Sequence, residues 1–236
     1  MLKQMIRATA VLAFAAAPML AQDDMRPTVA VLPFVNSAIG QSNSELAPLS
    51  KGIADLLITS MAQNPGIRLV ERENIERILA EQNLARDGRV DDATAARVGK
   101  LLGARHMLTG SFVTDRSGTM VITIKSIDSE TGRIAYTDMH RGKTEDFLML
   151  VDQLAEKTNR GLKLPELTAQ ARQTSEARSE RQRRVPFQAV MMYSRALSAQ
   201  DAGNKAEALT LFNQTIERFP DFEDAKSAKA KLESGG

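Results

Sequence analysis

The residues able to carry chemistry are few. The 236-residue chain holds two histidines, His106 and His140, and no cysteine. Thiol nucleophiles, iron–sulfur clusters, cysteine-ligated zinc and a disulfide scaffold are therefore excluded by composition. His106 falls between a helix stop and a buried strand, and His140 near a strand end, positions that suit a hydrogen-bonded edge histidine better than a ligand. Glu71, Glu73 and Glu76 cluster where a strand feeds a helix. Their residue type suits acid/base work, yet negative charge at a helix N-terminus is favourable without any reaction. Gly99-Lys-Leu-Leu-Gly103 sets a lysine between two glycines, as a phosphate cradle would, but it ends a helix instead of following a strand, which excludes a Walker loop. No Ser/His/Asp grouping, HExxH motif or pair of catalytic carboxylates can be placed. The sequence thus predicts no catalytic, cofactor-binding or metal-binding residue, and a protein that is not an enzyme.

The elements that position these residues read as α/β. Thr28 to Val35 is continuously apolar and β-branched, which predicts a central strand buried on both faces, left at Pro33. From Ser44 a helix carries Leu46, Leu49, Ile53, Leu56, Leu57 and Met61, with Pro48 in its first turn and Asn64-Pro65-Gly66 as its stop. Ile67 to Glu71 gives a second strand, completing a right-handed βαβ unit. Ile75, Ile78 and Leu79 mark a helix closed by Asp87-Gly88. Asp92 caps the next, which ends at Gly103. His106 to Asp115, Thr119 to Asp128 and Arg133 to Arg141 are strands whose short loops permit only antiparallel hairpins. In the second loop Asp128 bonds the turn backbone and Gly132 takes a positive φ. Ile122 and Ile124 alternate with Thr123 and Lys125, so one face of this meander is wet. A helix from Thr144 closes the unit near Leu164-Pro165. The fold class is a mixed sheet, a βαβ unit followed by an antiparallel meander, flanked by helices, with a small all-α helical-repeat segment.

The N-terminus carries Lys3 and Arg7, an apolar stretch from Ala8 to Ala17, Pro18, and a polar restart after Ala21. This is the layout of a secretory signal peptide over residues 1–21, too short to span a bilayer, which needs about 20 apolar residues. With no cysteine after the apolar run, no lipid can be attached to a new N-terminal cysteine. Removing the leader's two cations leaves 29 basic against 29 acidic side chains. A neutral chain with 4% aromatics lacks the electrostatic footprint and stacking residues of a nucleic-acid binder. The reading is an exported, periplasmic protein, either free or peripheral to the outer membrane, with no integral span in the mature chain.

Residues 27–164 form the α/β domain, and residues 165–186 a charged linker. Arg172, Arg178, Arg181, Arg183 and Arg184 there are set against Glu176 and Glu180. The segment reads either as a solvated, partly helical connection with Glu180 and Arg184 paired, or as a basic patch for an anionic partner. Over residues 187–236, Ala196, Gly203, Ala208, Phe212 and Pro220 keep the spacing of a tetratricopeptide-like helical hairpin, with a third helix as cap. Arg195, Ala199 and Thr215 depart from that pattern. Tyr193, Leu197 and Gln200 line the face that would hold a partner. One repeat and a cap fall short of independent stability and should dock on something.

Seven segments occur in a familiar order: Val29-Ala-Val-Leu-Pro-Phe34, Gly52 to Leu57, Leu69-Val-Glu-Arg72, Ile78 to Gln82, Gly99 to Ala104, Leu108-Thr-Gly-Ser111 and Asp128 to Gly132. Over residues 28 to 164 this resembles the CsgG/HfaB family of curli assembly and transport components, and more distantly the lipoprotein activators of penicillin-binding proteins. The matching positions are Phe34, Glu71, Arg72, Glu81, Gly99, Gly103, Ala104, Gly110, Asp128, Thr131 and Gly132, all structural in role. The resemblance implies a cell-envelope α/β domain that works by protein contact and self-association, without cofactor or catalysis. Two departures bear on function. Curli channels are lipoproteins and insert long amphipathic hairpins, whereas here the loops Arg116 to Gly118 and Ser129 to Gly132 are a few residues long. The favoured function is an assembly or scaffolding component with an envelope protein as partner. The alternatives are a subunit of an outer-membrane secretion channel and a regulator of a peptidoglycan synthase.

Overall fold

A computed structural model describes residues 24–38, 41–81 and 90–235. The expected leader over 1–21, Gln82, and the helix stop at Asp87-Gly88 lie outside the described residues. Six strands form one sheet: β1 (Thr28–Val31), β2 (Val35–Asn36), β3 (Arg68–Leu69), β4 (His106–Thr114), β5 (Thr119–Asp128) and β6 (Ile134–Lys143). Their order is β3-β1-β4-β5-β6, with β2 paired to β4 off this path. β1 is parallel to β3 and β4, and β4, β5 and β6 run antiparallel. This is the mixed sheet that the sequence predicts.

β1 reads as a continuous apolar run because both of its faces are covered. Val29 and Val31 enter a large core with α2 (Leu49–Met61), while Ala30 and Leu32 enter a smaller one with α3 (Arg72–Glu81) and α4 (Asp92–Leu102). Pro33 breaks the strand, as expected, and the chain regains the sheet only at β2. The helix expected from Ser44 is two: α1 (Gln41–Leu46) ends ahead of Pro48, which stands at the N-cap of α2. Proline has no N–H to continue a helix from the preceding turn. The second strand is shorter than expected, two residues within Ile67 to Glu71. Asp91, not Asp92, caps α4, accepting from the Thr94 amide at 2.7 Å. α4 ends at Gly103 in the left-handed region, φ 63°.

The hairpins fall where the loop residues place them. Their open face is dry only at one end, where α3 and α4 cover Met107 and Ile127. Farther along, Val113 is 40% and Met139 62% exposed. The opposite face packs on α5 (Phe147–Gly161), entered through a short 3-10 turn at Thr144–Asp146. Gly110 of β4 is required by close approach: a Cβ there would collide with the Thr123 carbonyl and the Phe34 ring.

After Pro165 come α6 (Ala169–Gln182), α7 (Phe187–Asp201), α8 (Lys205–Arg218) and α9 (Glu223–Ser234). α7 packs on α2, and one apolar core runs without a break from Val29 to Leu232. Each fully buried large aliphatic or aromatic side chain in it contributes about 1.5–3 kcal/mol. The helical segment therefore docks on the chain's own sheet domain. The 165–186 segment is helical over most of its length, and one side of α6 is tied down: Arg178 pairs with Asp152 of α5 and Asp224 of α9, and Ser179 donates to Asp152 at 2.6 Å. Glu180 pairs with Arg183, 3.3 Å away, in place of the expected Arg184.

Candidate functional site

The densest polar arrangement lies where the helical segment meets the sheet domain. The two-residue β3 turns directly into α3, and that corner points the Arg72 guanidinium under α7. Its side chain is 2% exposed. Nε donates to Asp55 on α2 at 3.1 Å, Nη1 donates to Asp201 at the end of α7, and Nη2 lies 3.4 Å from Glu73. The Tyr193 hydroxyl of α7 donates to the other Asp55 oxygen, and Lys51 of α2 donates to Asp201. A carboxylate at a helix C-terminus is disfavoured by the helix dipole, and the two cations on Asp201 offset this.

Burial sets the titration of the group. It pushes the Asp55 carboxyl up, against the opposing pull of Arg72 and of the Tyr193 hydroxyl. Arg72 resists deprotonation even more than a free arginine: burial disfavours its charge, but Asp201 and Asp55 outweigh that. The Tyr193 phenol is held well above its usual range, first by burial and then by Asp55. Every strong donor here already meets an acceptor within the chain. Such a network locks one element against another. Removing one member of a buried pair costs about 3–5 kcal/mol, because the remaining charge is stranded.

Gly52 makes the junction close enough. A Cβ at this position of α2 would fall on the Ser194 hydroxyl of α7. A mid-helix glycine costs about 1 kcal/mol relative to alanine, and here the cost is offset by helix contact that no larger residue allows.

Above the network lies a groove of about 330 Å³ between the β3–α3 corner and α9, lined by Leu69, Tyr193, Leu197 and Gln200 among others. Lys231 of α9 crosses its mouth to Glu71 at 3.1 Å and Glu73 at 2.9 Å. A larger cleft of about 970 Å³ separates α5 from α6, with Arg160, Lys163, Arg172 and Arg183 interspersed with Glu156, Glu166, Glu176 and Glu180.

The residues singled out by sequence are dispersed. Glu71 and Arg72 meet at the junction, and Tyr193, Leu197 and Gln200 reach it from α7. Tyr193 and Leu197 are 1% exposed: the face expected to hold a partner is packed on the chain's own α2, and the Gln200 amide lies 3.4 Å from Glu73. Ala196, Ala208 and Phe212 are buried between α7, α8 and their neighbours, Gly203 has φ 79°, and Pro220 is exposed after α8. Phe34 is buried beside Gly110. Gly99 packs against Ser129 and Met107, Ala104 is buried, and exposed Glu81 pairs with Arg77 at 3.6 Å. Asp128 accepts from the Thr131 amide at 2.9 Å and its hydroxyl at 3.1 Å, which holds its carboxyl below the usual range, and Gly132 has φ 67°. His140 Nε2 lies 2.9 Å from Gln153. Among the described residues, no group of three or more His, Asp or Glu side chains is placed to hold a metal ion.

Sequence reasoning missed Asp55, Asp201, Lys231 and the Arg178–Asp152–Asp224 triad. A signal existed for two of them. Asp55 interrupts the apolar run Ile53-Ala54-Asp55-Leu56-Leu57, and Asp201 is an acid in a helix's last position. Both are unfavourable unless a cation lies opposite.

With this geometry in view, the comparison with known families is direct: residues 14–115 match the family described as curli production assembly/transport component CsgG. Over this segment, which is less than half of the chain, the sequence is similar to the CsgG family. The CsgG segment runs to the end of β4, so it includes the β3–α3 corner and Gly110 but not the Asp128–Gly132 turn, α5 or the helices after it. No curated protein sequence matches the chain. Among solved structures, it is similar to the LpoB C-terminal domain from Escherichia coli, at 15% identity over 50% of this chain and 83% of that one, TM-score 0.36. It is similar to TolB from Acinetobacter baumannii, at 12% identity over 59% of this chain and 28% of that one, TM-score 0.37. The PelC dodecamer from Paraburkholderia phytofirmans matches at 14% identity, 60% and 91% coverage and TM-score 0.34.

Proposed function

We propose that this chain is a periplasmic cell-envelope protein of the CsgG family that works by protein–protein contact, as an assembly or scaffolding component without catalysis. The observation that carries this reading is the outer face of β4–β6 beyond the end that α3 and α4 cover, where Met139 and Val113 are exposed beside Arg141 on an antiparallel sheet. Apolar side chains on a fixed, otherwise polar surface suit recognition of another protein. The 1–21 leader directs export, the 27–164 unit supplies this face, and the 165–186 and 187–236 segments brace it from behind. The hairpin loops support a contact role over a pore. Asp115 ties the first into a tight turn by accepting from the Ser117 and Thr119 amides, and neither loop extends into a long hairpin.

A photo-crosslinking amino acid at position 139, in intact cells, tests the reading. A discrete adduct with one envelope protein is expected, absent when the crosslinker is moved to buried position 122. Equal, diffuse labelling from both positions would contradict a specific face.

A further inference from the structure

The groove between the β3–α3 corner and α9 has features that the docking of the helical segment does not use. Its floor is apolar, formed by Ile58, Leu69, Leu197 and Ala228. Asp55 and Asp224 at its ends are committed to Arg72 and Arg178. Of the acids at its mouth, Glu73 is 28% exposed and is also met by Arg72 and the Gln200 amide, whereas Glu71 is 61% exposed and meets Lys231, itself 38% exposed. Pairs this accessible are worth about 0–1 kcal/mol and exchange readily. Among the described residues, β3 is the last strand of the sheet. The Arg68 and Val70 amides bond toward β1, to Pro27 and Val29, so by alternation the Leu69 amide and carbonyl point the other way, to the outer edge, where no described strand lies.

An apolar floor, a strand edge with no described neighbour, and an exposed carboxylate, Glu71, held by a displaceable lysine beside the better-tied Glu73 define an occupant. We propose that this groove receives an extended segment of a partner protein in which an apolar residue stands beside a lysine or arginine. The apolar side chain rests on the floor of the groove, whose whole volume of about 330 Å³ is at the lower end of known ligand pockets. The segment's backbone pairs with Leu69 in strand addition, and its cation replaces Lys231 on Glu71 and Glu73. The proposal rests on the protein-contact reading and names a second surface for it, distant in sequence from Met139.

The test is an NMR titration of the full exported chain with three capped hexapeptides: Gly-Ser-Leu-Lys-Ser-Gly, the same with Glu for Lys, and the same with Ser for Leu. The Leu-Lys peptide should shift the amides of Leu69, Val70 and Ala228, and each of the others should bind about tenfold more weakly, a difference of about 1.4 kcal/mol. Lys231→Met, which takes the lysine off both carboxylates while keeping the apolar stem, should tighten the Leu-Lys peptide. Glu71→Gln with Glu73→Gln should weaken it about tenfold, with the circular dichroism spectrum unchanged. Equal binding of the acidic peptide, weaker binding to Lys231→Met, or no shift with any peptide at about 5 mM would overturn the proposal. So would concentration-dependent shifts of the same amides without peptide, which would give the groove to a second copy of the chain. None of these outcomes touches the crosslink at position 139, so the two readings fail separately.

Discussion

Arg72 opens α3 and Asp201 closes α7, 129 residues later, yet the guanidinium of one donates directly to the carboxylate of the other. Their side chains are 2% and 6% exposed. This pair joins the sheet domain to the helical segment, and its removal is the sharpest test of the junction. Arg72→Ala should cost about 3–5 kcal/mol by leaving buried Asp55 to the Tyr193 hydroxyl and Asp201 to Lys51, lowering Tm by roughly 10 °C. Arg72→Lys should recover little, because one ammonium cannot reproduce the fork that reaches Asp55 and Asp201 together. A Tm within a degree of the parent would show that the junction is held by apolar packing alone.

Phe212 is fully buried, its ring centroid 5.9 Å from that of Tyr193. Phe212→Ala should cost about 3–5 kcal/mol, visible as a lower urea midpoint. Because Tyr193 bridges to Asp55, Phe212→Ala and Tyr193→Phe should be non-additive in a double-mutant cycle. Strict additivity would mean that the two sites do not share a core.

His106 carries a pH dependence. Its pKa is lowered from the usual 6.5, chiefly by burial and then by Arg105, and its buried Nδ1 has no hydrogen-bond partner among the described residues. A depressed pKa means that the unfolded chain takes up this proton first. The contribution to stability is therefore complete above about 6.5 and lost as pH falls through the folded-state value. Urea midpoints measured from pH 7.5 to pH 5 should fall, and His106→Gln should flatten that slope. An identical slope in the variant would assign it elsewhere.

Gly110→Ala should be among the most damaging small substitutions. The added methyl meets the Thr123 carbonyl and the Phe34 ring, and overpacking of this kind costs about 1–3 kcal/mol. Accumulation of folded protein at the parental level and Tm would show that β4 and β5 can separate at no cost.

Much of the fold was legible because local signals agreed with it. The burial of β1 followed from an unbroken apolar run, the hairpins from Gly118 and Gly132 at their turns, and the end of α4 from Gly103. Local signals failed where distant residues decide. The Ile67 to Glu71 strand shrinks to two residues because the corner into α3 has to deliver Arg72 beneath α7. The arginines of 165–186 looked solvated because Arg178's partners, Asp152 and Asp224, lie 26 and 46 positions away. Asp92 was expected to cap α4, but its neighbour Asp91 does so, a one-residue difference that only backbone geometry decides. Glu71 and Arg72 were picked as motif positions without their partners, since pairing with Asp55, Asp201 and Lys231 exists only once the helical segment is docked.

The central claim, a contact protein and not a pore, is tested most directly by fractionation followed by conductance measurement. After gentle lysis the exported protein should be recovered without detergent in the periplasmic fraction. Any that sediments with membranes should be released by about 0.5 M salt, where screening acts over a few ångströms, and purified protein should leave liposome conductance unchanged. Retention on membranes through salt and alkaline carbonate, together with a rise in ion conductance, would contradict the account and make the chain a channel subunit.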